Sequence, residues 1–561
     1  METFSIKTER LDDLPLLYSQ LEKMGIRELI DRYFPAHGNW RGISPGLVTT
    51  YWLMHIVSQS DHRLKYAEDW ASAHRETLHM LNGQRVEPVE LSDDRLARLL
   101  EWFSDDAPWF SFQADLNRGL LVSYSLPCET VRHDSTTVSS YASPDDDRLI
   151  QLGHSKDHRP DLGQIKVMLS TLDPLALPVS VAVVDGSRAD DPLYTPAIQR
   201  VNAIFGAGLL HVGDSKMACR STRAQIVSGG DDYLCPLPAI QRDALDVYLT
   251  PVSTGAVRLL PITSTSADGS THLIAEGYTR DVTMRVATDE TDLTWTERQF
   301  VVRSVAYATS QEHALKLRVK KASAALDTLL IPTQGKKRPE SLTDCHTAID
   351  RILKEHAVAQ LLTVTCQEHL VHKAIRPYKD RPARTVTRSA FTLTHQVDEA
   401  ALNKAVDALG WRIYATSATE QRLSLQQAVT EYRGEYRIEY DFSRLKGRSL
   451  SLKPMYLQRD DHRVGLVRLL TLALYLLALV QYQVRRELET PHDELTGLYG
   501  NITTNRPTTE RLLQSFGNIH LTMITTPQET IPHITPLTPV QTKILTLLKI
   551  NPNVYQFQKP T

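Results

Sequence analysis

Three acidic residues stand out as candidates for chemistry. Asp134 sits in ETVRHDSTT, where a β-type run ends at or just after the aspartate, and Asp214 closes a second such run in GLLHVGDSK. Carboxylates at strand ends face the crevices in which α/β sheets bind ligands. If the two strands are neighbours, the carboxylates either share a proton or hold a hard divalent cation. Taken singly, each aspartate is more often a turn or capping residue. The third is Glu439, in EYRGEYRIEYDFSRLKG, within a pattern read as one helix over 424–446. Tyr432, Glu439 and Lys446 recur every seven residues, close to two helical turns, so a hydroxyl, a carboxylate and an ammonium share one face. An ordinary surface helix is the competing explanation. It sits poorly with the like-charged spacings Arg433/Arg437 and Glu435/Glu439, which disfavour a helix by themselves.

Other residues carry weaker signals. His154 and His158, near Asp157 and Asp161, have a conceivable metal spacing, but Pro160 interrupts any helix that would align them. A loop whose Lys156 and Arg159 touch phosphate fits better, with a purely structural loop as its rival. Trp295 in DLTWTERQF has two readings, stacking on an extruded base or packing in a core, and packing is the commoner fate. Basic clusters at Lys316–Lys321, at Lys336–Arg338 and along 371–388 are candidate phosphate contacts, each also explicable as a solvated face.

The elements that must position these residues follow from periodicity. Residues 1–125 show apolar spacings of three and four, as in LPLLYSQLEKMGIRELI, and Ser92 precedes a capped helix start. Residues 126–240 alternate short β-runs with helices, the pattern of a mixed α/β sheet. Residues 241–388 form a β-rich and helical segment closed by a basic, Pro-containing linker at 371–388. Residues 389–495 hold the strand WRIYATS and two long helical patterns. Residues 496–561 form a tail whose Thr/Pro-rich stretch 522–542 reads as a linker or surface strap.

At roughly 150 residues per domain, 561 residues suggest about three to four domains. Charged residues are 23% and hydrophobic ones 42%, which argues against wholesale disorder. The net charge of −3 gives no whole-chain nucleic-acid signal, so an anionic partner must be met by local patches. Five cysteines without a CxxC pair disfavour a disulfide framework and fit a reducing compartment. The N-terminal METFSIKTERLDD has no secretory h-region, and the apolar run Leu469–Val480 is shorter than the about 20 residues a membrane span needs. A cytoplasmic protein without a membrane partner is expected.

Together the blocks resemble the DDE transposases of bacterial insertion sequences. The subgroup is the one with a C-terminal Tyr-Arg-Glu-Lys signature helix and a β-rich insertion in the catalytic core. RHDSTTVSSY and LLHVGDSKM resemble the two aspartate blocks, and GHSKDHRPDLGQIKV resembles a hallmark block of one subgroup. YRGEYRIEYDFSRLKG resembles the signature helix, and LKPMYLQRDDHRVGLVRLL the segment after it. The resemblance implies an α/β fold: an RNase-H-like mixed sheet interrupted by a β-rich insertion, with a helical N-terminal domain that binds DNA ends. It implies that Asp134, Asp214 and Glu439 are the catalytic acids and hold two Mg²⁺ (or Mn²⁺) ions. It implies DNA contacts from Tyr432, Lys446, Lys156, Arg159 and Trp295. The partners would be terminal inverted repeats and target DNA, handled by a nucleoid-associated homodimer. The signature Arg, three residues after Tyr432, is Glu435 here. Two other functions stay open, a nuclease that cuts without joining and a DNA-binding protein without catalysis.

Overall fold

The computed structural model describes every residue except 1–3, 146, 267–268, 288–291, 333–337, 378–381, 490–492 and 557–561. Lys336, Lys337, Lys379 and Arg381 of the basic clusters lie outside the described residues. Along the chain run β1 (Ser5–Arg10), α1 (Leu14–Lys23), α2 (Ile26–Tyr33), α3 (Pro45–Gln59), α4 (Ala67–Ala73), α5 (Arg75–Asn82), α6 (Asp93–Ser104) and α7 (Asp106–Tyr124). Then come β2 (Thr130–Ser140), β3 (Gly163–Leu172), β4 (Leu177–Asp185), α8 (Asp191–Phe205), β5 (Leu210–Gly213), α9 (Arg220–Ser228) and β6 (Asp232–Pro236). The middle of the chain forms α10 (Leu245–Ser253), β7 (Leu260–Thr265), β8 (Thr271–Ala287), β9 (Asp292–Ser304), α11 (Val305–Leu329), α12 (Leu342–Glu355), β10 (Leu362–Ile375), β11 (Arg384–Val397), α13 (Glu399–Asp407) and β12 (Trp411–Thr416). The last part forms α14 (Leu425–Arg433), α15 (Tyr436–Lys446), α16 (Asp460–Glu489), β13 (Leu495–Tyr499), β14 (Ile502–Thr504), α17 (Thr509–Gln514), β15 (His520–Thr525), β16 (Thr530–Ile534) and α18 (Pro539–Leu547).

The chain folds as two compact units, one of Met1–Cys235, Met284–Trp295 and Thr430–Thr561, the other of Pro236–Thr283 and Thr296–Val429. In the first unit five strands lie in the order β4-β3-β2-β5-β6. β2, β3 and β4 form an antiparallel meander, while β5 and β6 join parallel to β2. All ten residues of β3 are buried, as a central strand covered on both faces requires. The N-terminal helices, the sheet and α16 share one apolar core. The helix α16 is long and apolar enough to cross a membrane, but 89% of its apolar window is buried inside the unit. It runs so close to α6 that a Cβ on Gly465 would stand 2.1 Å from the Leu100 carbonyl. Tyr475 of α16 donates to Asn117 of α7 at 3.0 Å, and Asn117 donates to the Val179 carbonyl of β4 at 3.0 Å. That relay satisfies polar groups which burial would otherwise make costly.

In the second unit the strand order is β12-β9-β8-β7. A smaller apolar cluster from α11, α12 and α13 holds the base of a two-stranded ribbon, β10 with β11.

Four expectations need correction. The 371–388 linker lies mostly in the ribbon. Alternating Thr and Val, as in Arg384–Arg388, suit a pleated strand, and Pro377 and Pro382 fall beyond the strand ends. The strap at 522–542 contributes to two strands, β15 and β16, in a three-stranded sheet with β1. Its Pro532 lies in the edge strand β16, where proline is tolerated. The helix over 424–446 is two helices with a turn at 434–435. Finally, β2 does not end at Asp134 but continues to Ser140.

Candidate active site

The site is built on one face of β2. Residues two apart on a strand point the same way, so Arg132, Asp134 and Thr136 form a row. The row meets the α14–α15 segment. The Arg132 Nη2 donates to the Glu431 carbonyl at 2.7 Å, and Lys446 at the far end of α15 donates to the Thr136 hydroxyl at 2.8 Å. Asp134 lies between these two anchors.

Asp214 comes alongside through strand pairing. β2 and β5 are parallel, with His133 opposite Gly213, so the next residues along the two strands' paths are Asp134 and Asp214. Asp134 is half-buried and its carboxyl is pushed up to about 7. Burial is the main cause, and the charges of Asp214 and Glu435 add to it, while the Lys156 ammonium opposes the rise. Lys156 Nζ stands 3.7 Å from Asp134 Oδ1 and donates to the Ser135 carbonyl at 2.6 Å. Asp214 Oδ1 accepts from the Tyr194 hydroxyl at 2.7 Å and from the Lys216 N–H at 2.8 Å. Burial and both aspartates hold the Tyr194 hydroxyl protonated. Each aspartate is thus fixed by a separate partner.

The turn between α14 and α15 is held by a buried ion pair. Arg132 Nε and Nη2 both donate to Asp173 Oδ2, at 3.0 and 2.6 Å, and each side chain is 2% exposed. A Cβ on Gly434 would lie 2.8 Å from Arg437 Nη1, 2.9 Å from the Glu431 carbonyl and 3.0 Å from Arg132 Nη2, so the helix breaks where only glycine fits. Removing one partner of a fully buried pair leaves an uncompensated charge. Asp173→Ala is therefore expected to destabilise the first unit by about 3–5 kcal/mol, measured by chemical denaturation.

Glu435, the residue at the break, is the acid of this segment on which Asp214 acts. Burial, Glu439 and Asp214 raise its carboxyl, while Arg132 and a hydrogen bond with Tyr432 oppose the rise. Tyr432 is buried and acts through Glu435. Glu439 is exposed and borders a cavity of about 740 Å³ on the neighbouring face of α15. That cavity presents Tyr436, Tyr440 and Tyr482 among Arg437, Arg485 and Arg506. Of the α14–α15 segment, Lys446 reaches β2 at Thr136, and Glu435 lies where its charge and those of Asp134 and Asp214 act on one another.

A cluster of ammoniums flanks the carboxylates. Asp157 accepts from Lys446 at 3.0 Å and pairs with Lys453. Burial alone would raise the Asp157 carboxyl, but Lys453 and Lys446 hold it below the usual range. Burial lowers Lys446, as do Lys453 and Lys156, while Asp157 holds it up. The block 153–161 thus packs along β2. Within it Arg159 is paired to Asp161 at 2.7 Å, and His154 and His158 are exposed.

Trp295 is 8% exposed, and its indole N–H donates to the Tyr233 hydroxyl at 3.0 Å, so it packs in a core rather than standing free to stack. Sequence reading leaves out Tyr194, Arg132, Asp173 and Lys453, and meets Glu435 only as the residue in the signature-Arg position. Arg132 carries a signal of its own, its position two residues before Asp134 on one strand.

Aspartates, a glutamate and the chemistry of hard oxygen donors suit a divalent cation. Burial raises the Asp134 carboxyl most and the Asp214 charge adds to it, and a bound cation would oppose both effects. Among the described residues no three His, Cys, Asp or Glu side chains are grouped so as to hold a metal ion. Asp134 and Asp214, brought alongside by the pairing of β2 with β5, are the oxygen donors that would hold an ion.

Residues 6–108 match a family described as a domain of unknown function (DUF4277). No curated protein matches the chain. A solved structure, the piggyBac transposase synaptic complex with hairpin DNA, is similar at 9% identity over 85% of this chain and 82% of that one. The TM-score is 0.24, too loose a superposition to assign either fold or activity.

Proposed function

We propose that the chain is a DDE transposase of an insertion sequence, which binds terminal inverted repeats and carries out metal-dependent DNA cleavage and strand transfer. The observation that carries the reading is the place of Asp134 and Asp214, each the residue after the last pair, His133 with Gly213, of two parallel strands, with Lys446 of α15 bonded to Thr136 on the same strand as Asp134. The strand order β4-β3-β2-β5-β6, three antiparallel strands followed by two parallel ones, supports an RNase-H-like core. The motif resemblance gives Glu439 the role of third acid.

Bound Mg²⁺ or Mn²⁺, two ions in this reading, would activate water and stabilise a leaving 3′ oxygen. The chain's own groups do the rest. Lys156 and Tyr194 orient the two aspartates. Lys446 and Lys453 offer charge to a DNA phosphate, which can replace Asp157 as their partner. In the first reaction water attacks phosphorus, the bond to the 3′ oxygen breaks, and a 3′-hydroxyl and a 5′-phosphate result. In the second that 3′-hydroxyl attacks a target phosphodiester, a new P–O bond forms, and a target 3′-hydroxyl leaves. The enzyme acts as a homodimer that synapses two ends at the bacterial nucleoid, and its N-terminal helices recognise the repeats.

The test is joining of a labelled DNA end, taken from sequence flanking the gene, to a plasmid in Mg²⁺. Joining by wild type and not by Asp134→Asn supports the proposal. Cleavage without joining makes the protein a nuclease. End binding without cleavage in Mg²⁺ or Mn²⁺ makes it a DNA-binding protein whose acids have another use.

A further inference from the structure

The ribbon β10–β11 of the second unit takes no part in the site above. Its fourteen pairs run without a register shift from Leu362 opposite Val397 to Ile375 opposite Arg384. Among the described residues its base is the anchored part, where Val364, Cys366, Leu393 and Val397 pack on the α11–α12 cluster. Gln367 to Ile375 are exposed at every position. At about 3.4 Å per residue, nine residues extend roughly 30 Å. A two-stranded ribbon is marginal by itself, so this length beyond the anchored base calls for a use.

The register also sorts the charges. Side chains alternate between the faces, and directly opposed residues share a face. Lys373 lies opposite Val386, Arg388 opposite Val371 and Arg384 opposite Ile375, so the three cations fall on one face. Glu368, the acid of the exposed half among the described residues, falls on the other face with Leu370 and His372. Neither Lys373, Arg384 nor Arg388 forms an ion pair with another described residue. Charges that only blunt an edge against aggregation need be neither of one sign nor on one face.

We infer that this ribbon is an arm that enters the major groove of duplex DNA, its Lys373–Arg384–Arg388 face toward the phosphates. The major groove of B-DNA, about 12 Å wide, admits a two-stranded ribbon. The deep, narrow major groove of an RNA duplex does not. The inference shares its partner with the proposed function but not its catalysis, so the test runs in EDTA, where no cleavage occurs.

Binding of the full chain to a DNA duplex and to an RNA duplex of the same sequence is measured across salt concentrations. The comparison is with the triple variant Lys373→Gln, Arg384→Gln, Arg388→Gln, and with Glu368→Gln on the opposite face. The expected result is DNA preferred over RNA. For the triple variant, affinity for DNA should fall about 10- to 100-fold near 0.1 M salt, and the slope of log affinity against log salt should drop by about 2.7. Glu368→Gln should bind as wild type does. All the substituted side chains are exposed, and an unchanged unfolding midpoint confirms that each variant folds. An unchanged slope in the triple variant, or equal binding of RNA, overturns the inference. So does a dimer that the triple variant dissociates while DNA affinity holds, because the arm would then grip a second copy of the chain.

Discussion

Asp134→Asn should unfold at a higher temperature than the wild-type chain at pH 8 while losing all DNA joining. The Asp134 carboxyl is raised to about 7 in the folded chain, against an ordinary value near 4. The folded state therefore binds this proton more tightly than the unfolded one. Stability falls as pH rises from about 4 to about 7, and the full penalty remains at higher pH. Asparagine carries the shape of the protonated acid at every pH and escapes the penalty. With the Asp134 side chain 20% exposed, a gain of about 1–3 kcal/mol above pH 7 is a fair expectation, vanishing near pH 4. A divalent cation should stabilise the wild type and leave the variant unmoved. Thermal melts over pH 4–9, with and without Mg²⁺, check both statements. A variant less stable than wild type at pH 8 would contradict the electrostatic account, whatever its activity.

Glu439→Gln and Glu435→Gln should differ in kind. If Glu439 is the third acid, Glu439→Gln abolishes joining. Glu435 acts on Asp134 as a like charge, so Glu435→Gln should lower the Asp134 carboxyl. The pH at which Mg²⁺ protects the protein from thermal unfolding should then move down, with joining retained. The reverse pattern, joining lost in Glu435→Gln and kept in Glu439→Gln, would transfer the third acid to Glu435. The readouts are joining at fixed pH and the pH midpoint of Mg²⁺ stabilisation.

Much of this architecture is legible in the sequence. The runs ETVRHDS and GLLHVGD give the strands that carry the two aspartates, and apolar periodicity gives the helices of residues 1–125. The pairing of the two strands follows only from the fold, because no local pattern says which strands are neighbours. The break at Gly434 hides for a similar reason. A Cβ there would meet the Glu431 carbonyl and the guanidinium of Arg132, some three hundred residues away in the chain, while helical periodicity continues across the break. Composition misleads at 371–388 and 522–542. Lys, Arg, Thr and Pro suggest a linker, yet a strand needs only alternation and a partner, and here each segment folds back on itself, Val371–Ile375 against Arg384–Arg388 and Thr522–Thr525 against Thr530–His533. Trp295 shows the converse limit, since a residue type that can stack on a base is equally good at filling a core.

The pairing of β1 with β15 couples the order of synthesis to the order of folding. Ser5 to Arg10 find their partners at His520 to Thr525, so one segment waits for another made some five hundred residues later. At about 5–20 residues per second the interval is on the order of half a minute to two minutes. A shorter delay, on the order of ten seconds to a minute, separates Asp134 and Asp214 from the helix α15 that faces them. A nascent chain therefore carries the two aspartates long before it can bring a third acid to them, and one whose translation stops early holds an incomplete site. Under the proposed function, the DNA-cutting centre stays incomplete until translation has passed α15.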